Sequence, residues 1–231
     1  MKTLPFIMLA IATSTALAQT PIPVANYNFS SPADLYGDIT SCSPVDCYAA
    51  FTNSVPGWTV DPSAALSVNA GVWAPDQPYF DLAQSGVQYD IGGTERVGVA
   101  QYGTVLSQNV GTVLAGYTYT LNVKIGDLPG SSPGGANLQV GNNTPYFATG
   151  AAPNPGEFST FAASFYGTSS LAGDPITINL TSLPSYYSSG QFMDVTLTQT
   201  LPEGGSSWLY LLLASATSLG AIFHNQLATR A

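Results

Sequence analysis

Between positions 117 and 125 the chain alternates without a slip. Tyr117, Tyr119, Leu121, Val123 and Ile125 fall on one parity, and Thr118, Thr120, Asn122 and Lys124 on the other. A period of two puts each set on its own face of an extended strand, whereas a helix would scatter both sets around its circumference. The same pattern returns where Ile176, Ile178 and Leu180 alternate with Thr177, Asn179 and Thr181, and where Met193, Val195 and Leu197 alternate with Asp194, Thr196 and Thr198. Each stretch reads as a half-buried antiparallel strand. Phe158, Phe161 and Phe165 mark a further strand, and residues 97–110 read as two strands around Gly103. Gly, Pro and Asn clusters separate the runs, at 115–116, 128–135, 142–143, 153–156 and 173–175. Many short strands joined by such turns predict an all-β fold of two packed antiparallel sheets, a β-sandwich. No amphipathic helix of useful length interrupts the middle of the chain, and no fixed repeat argues for a propeller or solenoid.

Charge is scarce and one-sided. Only 7% of residues are charged, against about a quarter in an average soluble domain. Lys2 and Arg230 sit near the termini, so Arg96 and Lys124 are the bases of the middle, facing twelve acids from Asp34 to Asp194. Such a surface repels nucleic acid, so no nucleic-acid partner is expected. Cys42 and Cys47 stand close together in a Ser/Pro-rich loop, which in an exported protein predicts a small-loop disulfide. The chain's one His, His224, lies in the tail, which argues against a zinc site.

Both ends are apolar. Residues 1–18 carry Lys2, an apolar run and Ala16-Leu17-Ala18, the layout of a secretory signal peptide cleaved between Ala18 and Gln19. From Trp208 to Phe223 there is no charge, which predicts a transmembrane helix over about 208–223. The expected organisation is therefore a signal at 1–18, a β-sandwich at 19–200 and an anchor or sorting segment at 201–231.

Pro202-Glu203-Gly204-Gly205, a hydrophobic span and the basic Arg230 resemble a PEP-CTERM sorting segment in its Pro-Glu-Gly variant. That resemblance implies processing by an exosortase-like enzyme and residence in the cell envelope, anchored or released. The same stretch also resembles a sortase LPxTG signal with Gly204 in the Thr position, and the small residues 204–206 resemble a GPI attachment site. In the middle, the pieces VANYNF at 24–29, VPGWT at 55–59, GVWAP at 71–75, LSQNVG at 106–111, AGYTYTL at 115–121 and QFMDVTL at 191–197 resemble a galactose-binding-like jelly roll. The fold itself assigns no activity. By analogy with related jelly rolls, a structural calcium between the first and last strands would draw on Asn26, Asn28 and Asp194, with Asp34 and Asp38 close in sequence.

Without a His in the middle, no Ser-His-Asp or Cys-His machinery can be assembled, and no phosphate-binding loop is present. The sequence therefore predicts no catalysis, and a structural or adhesive envelope protein. One alternative is a module recognising neutral glycans of an extracellular polysaccharide, stacking sugars on loop aromatics. Tyr186 and Tyr187 are the preferred pair, with Tyr36, Tyr79 and Tyr102 as further candidates. A second alternative is a glycoside hydrolase or esterase using paired carboxylates. Trp58 and Trp73 are both expected in the core.

Overall fold

The structure is a computed structural model, and it describes residues 19–31, 48–51, 54–61, 70–74, 96–128, 130–184 and 188–201. Gln19–Thr200 form a compact unit. Its strands are β1 (Gln19–Ile22), β2 (Tyr48–Phe51), β3 (Thr59–Asp61), β4 (Ala70–Ala74), β5 (Val97–Gln101), β6 (Val105–Thr112) and β7 (Thr118–Gly126). They continue with β8 (Gly135–Val140), β9 (Tyr146–Phe147), β10 (Thr149–Gly150), β11 (Phe158–Tyr166), β12 (Pro175–Thr181) and β13 (Ser189–Thr200).

Every strand pairing is antiparallel, and the strands form two sheets. The larger runs β10-β11-β7-β13-β5-β4-β2, with β1 also on β13, and the smaller runs β3-β6-β12-β8-β9. The predicted two-sheet antiparallel sandwich is therefore the observed fold. Among the described residues no helix is long and apolar enough to cross a membrane. Residues 1–18 and 208–223 lie outside the described residues.

The core follows the parities of the sequence. Tyr119, Leu121, Val123 and Ile125 of β7 face Ile176, Ile178 and Leu180 of β12 across the gap between the sheets, with Val195 and Leu197 of β13 beside them. Tyr119 is fully buried and stacks on Phe165 at 4.8 Å, and its hydroxyl oxygen accepts from the Leu114 N–H at 2.7 Å, so its polar tip has a partner. Phe158, Phe161 and Phe165 lie on one strand, β11, as expected. Phe158 is offset from the other two by odd numbers of positions, so it faces away from the core that Phe165 joins.

β13 organises the larger sheet. One of its edges pairs with β7; the other pairs with β5 over residues 189–192 and with β1 over residues 197–200. Between the stretches that meet those two partners β13 bulges against β7, and Asp194 takes a φ of 50°. The turn after β1 fills the gap, where the Tyr27 carbonyl accepts from the Val195 N–H at 3.0 Å. Asn26 and Phe29 in that turn also adopt positive φ, at 48° and 55°. For a residue as bulky as Phe such a backbone holds only when its surroundings impose it. The Phe29 ring is fully buried, stacked on Trp58 at 5.7 Å, and seated directly over Gly98 of β5.

A Cβ at position 98 would meet three atoms of that ring closer than real carbon atoms approach. Gly98→Ala is therefore expected to cost about 1–3 kcal/mol by overpacking. Urea unfolding checks this, and a variant as stable as the parent contradicts the seating of Phe29.

Candidate functional site

The two faces of the larger sheet differ in kind. Inward, Val72, Ala100, Phe192, Val195 and Ile125 join the core. Outward, the half of the face carried by Thr118, Thr120 and Asn122 of β7 and by Thr160 and Ser164 of β11 is polar and reached by solvent. Thr120 and Ser164 hydrogen-bond across that half at 2.9 Å.

Farther along the same outer face the character reverses. Trp73, Val97, Val99, Phe158 and Met193 are all buried, yet none belongs to the cluster between the sheets. Strand register assembles them. Val99 lies opposite Gln191, Gln191 opposite Gly126, and Gly126 opposite Phe158. One pleat along, Trp73 lies opposite Val97, and Met193 opposite Lys124. These positions share the outward parity of their strands, so they compose a second apolar cluster on the outer face. Trp73 was expected in the core; it is buried, but on this outer side, while Trp58 does join the core.

One polar side chain is sunk into the apolar cluster. Gln191 is 0% exposed. Its Nε2 donates to Ser189 Oγ at 2.7 Å, and its Oε1 has no hydrogen-bond partner. Buried amide oxygens are ordinarily paired, and an orphan calls for an explanation. An apolar surface with a few convergent polar groups is the ordinary composition of a small-molecule site. At its border Lys124 Nζ meets Asp194 Oδ2 at 2.8 Å; both side chains are partly exposed, so this pair adds little to stability.

Asp127 follows Gly126 at the same end of the sheet. Its N–H donates to the Glu157 carbonyl at 3.1 Å and its carbonyl accepts from the Gly156 N–H at 2.7 Å, extending the β7–β11 ladder by one residue. Its Oδ1 is inaccessible and has no partner. Burial pushes the carboxyl above its ordinary range. Below the unfolded-state value both states are protonated and the group is neutral to stability. As pH rises through that value a penalty on the folded state grows, and it is complete above the folded-state value. Asp127→Asn is therefore expected to raise the thermal midpoint near pH 7 and leave it unchanged near pH 3. Equal gains at the two pH values would show that charge is not the cause.

Of the candidates read from sequence, Asn26, Asn28 and Asp194 are described. The Tyr27–Val195 hydrogen bond does bring the first turn against the Asp194 bulge. The side chains are engaged there in other ways. Asn26 Oδ1 accepts from the Ser31 N–H at 3.0 Å while its Nδ2 donates to the Ser31 and Pro56 carbonyls, and Asn28 Oδ1 accepts from the Ser30 N–H at 3.2 Å. The Asp194 carboxylate is paired with the Lys124 ammonium. Among the described residues no group of three His, Cys, Asp or Glu side chains could hold a metal ion. These three residues as arranged do not fit calcium, so no chemistry is routed through it. Asp34 and Asp38 lie outside the described residues, as do Tyr36, Tyr79, Tyr186, Tyr187, Cys42, Cys47, Ala18 and residues 202–205. Tyr102 occupies the turn between β5 and β6 at a φ of 56°.

A model of the HpiC1-like family, described as HpiC1 cyclase, matches residues 20–198. The chain belongs to this family. Among solved structures, it is similar to a Stig cyclase, Fisc, from Fischerella sp. TAU in complex with (3Z)-3-(1-methyl-2-pyrrolidinylidene)-3H-indole, with 20% identity, a TM-score of 0.60, and 80% of this chain and 100% of that one covered. A cyclase from Fischerella sp. TAU in complex with 4-(1H-indol-3-yl)butan-2-one is similar at 21% identity and TM-score 0.60, over 80% of this chain and 99% of that one. Among curated proteins none matches.

Membership of the HpiC1 cyclase family corrects several expectations. It overturns the reading of a non-catalytic structural or adhesive protein, together with the glycan-binding and hydrolase alternatives. The PEP-CTERM resemblance gives way to it as the family assignment. The expected partners, a membrane, an exosortase and extracellular polysaccharide, give way as well; those named for the solved relatives are small molecules. Missing His and unpaired carboxylates speak against hydrolysis, while ring closure in an apolar molecule draws on walls that position it and exclude water.

Proposed function

We propose that this protein is a cyclase of small, neutral, indole-bearing molecules, and that the apolar half of the outer sheet face is its active site. What carries the reading is a fully buried, half-paired amide inside a second apolar cluster, in a chain of the HpiC1 cyclase family. Trp73, Val97, Val99, Phe158 and Met193 present mainly apolar and aromatic surface, which suits a neutral aromatic ligand. Such walls hold a flexible unsaturated side chain folded over the ring, so that reacting carbons meet at bonding distance. They also keep water from intercepting charge that develops during bond formation, and the Trp73 ring offers a π face to that charge.

The test is direct. The purified protein is incubated with 3-substituted indoles carrying an alkene, and products are resolved by chromatography with mass detection. Ring closure is an isomerisation, so the expected product has the mass of the substrate and a new retention time. No binding and no isomer across such a series sinks the reading.

We further propose that the sandwich is a jelly roll spanning 19–200 and that the protein is exported. Support for export comes from the signal-like residues 1–18 and from β1, whose first residue is Gln19, so that cleavage after Ala18 would leave the domain whole. N-terminal sequencing of the mature protein should begin at Gln19; a mature protein that still starts at Met1 contradicts it.

A further inference from the structure

The proposed site holds an acceptor with nothing to accept. Gln191 sits in the middle of the larger sheet, between Val99 of β5 and Gly126 of β7, and its side chain is fully enclosed. Its amide is anchored on one side only, by the 2.7 Å hydrogen bond from Nε2 to Ser189 Oγ. With Nε2 engaged in that bond, the atom left over is Oε1. Among the described residues, Val97, Val99, Met193 and Phe158 share its outward parity on the neighbouring strands and its own, and none of them can donate to it. A chain under no other demand would carry Leu or Met here, because an unpaired buried acceptor is a loss in the empty protein. The arrangement makes sense when the missing donor arrives with the ligand.

We infer that Gln191 is the specificity residue of the site, its Oε1 accepting a hydrogen bond from a ring N–H of the substrate. The inference rests on the cyclase reading above and narrows it, because the substrate must then carry a free donor on its aromatic ring. A ring lacking that donor fits the same walls but leaves Oε1 unpaired, which is how polar sites reject isosteres. Gln191 thereby also sets the orientation of the ring, since one edge is tied to β13 while the remainder lies against the apolar walls.

The experiment compares 3-methylindole with 3-methylbenzofuran, which has the same shape and replaces the N–H by an ether oxygen. Binding is measured by calorimetry or by Trp fluorescence on the parent and on Gln191→Met. The parent is expected to bind 3-methylindole about tenfold or more tighter. In Gln191→Met, 3-methylbenzofuran should bind as well as 3-methylindole, with a thermal midpoint no lower than the parent's. Equal affinities in the parent overturn the inference and leave the cyclase reading standing, and a preference that survives in Gln191→Met does the same. A parent that prefers the benzofuran shows that the amide presents its NH2 instead, which also overturns it. If neither compound binds while the protein is folded, the proposed site is wrong and the inference falls with it. The parent's comparison decides the matter even where the variant does not fold.

Discussion

Truncating Phe192 to alanine is expected to remove about 3–5 kcal/mol of stability, a large part of what a domain of this size usually has. The ring is fully buried at the middle of the larger sheet, with Ile125 of β7 on one side and Gly98 of β5 on the other. It lies in a slot made by glycines. A Cβ at Gly134 would sit 2.6 Å from its Cζ, and one at Gly190 would sit 2.5 Å from the same atom. Glycine has no side chain to swing into a vacated space, so the cavity left by the ring cannot collapse readily, and the cost of a core truncation rises with residual cavity volume. Gly190→Ala, which obstructs the slot from the other side, should be destabilising by about 1–3 kcal/mol. Urea unfolding of Phe192→Ala is the measurement. A loss below about 1 kcal/mol would mean that the slot relaxes and that the ring does not hold the sheets together.

Phe192 also shows where the sequence could be read and where it could not. Alternation over 117–125, 176–181 and 195–198 showed strands and core parity directly, because each of those stretches is buried on one face and reached by solvent on the other. The expected break at Gly103 is the turn between β5 and β6. Alternation failed where both faces are buried. Val97-Gly98-Val99-Ala100 and Gln191-Phe192-Met193 carry large or buried side chains at both parities, so no face could be singled out, and Met193 was counted with Val195 and Leu197 although a bulge at Asp194 turns it to the other side.

The candidate site was hidden for the same reason. An active site with apolar walls is written in the same residue types as a core, so Trp73 looked like one more core tryptophan. The usable signal was the pairing of both-face burial on β5 and β13 with a Gln in the middle of it. A strand buried on both sides in an antiparallel sandwich needs something on its outer side. A lone amide there marks where polarity is wanted. Asn26 misled in the opposite direction, since a polar side chain that ties one turn together looks in sequence like a ligand donor.

The outer face also predicts the sharpest functional loss. Val99→Phe adds an aromatic ring beside Gln191, in the row that runs from Val99 through Gln191 and Gly126 to Phe158. If that row is the floor of the active site, the added ring occupies the volume in which a substrate ring has to lie. Turnover and indole binding are expected to fall about 100-fold or more, equivalent to roughly 2.7 kcal/mol of lost transition-state stabilisation. Some of the added volume will strain the fold, at about 1–3 kcal/mol, so unfolding must be measured alongside. The companion variant is Ser164→Val on the polar half of the same face, where the side chain is exposed and bonded only to Thr120. It should keep activity within about twofold, because surface substitutions seldom move stability by more than about 0.5 kcal/mol. Folded Val99→Phe with full activity would move the site off this face; loss in both variants alike would point to the sheet as a whole. Loss confined to Val99→Phe places the chemistry on the half of the sheet that the sequence disguised as core.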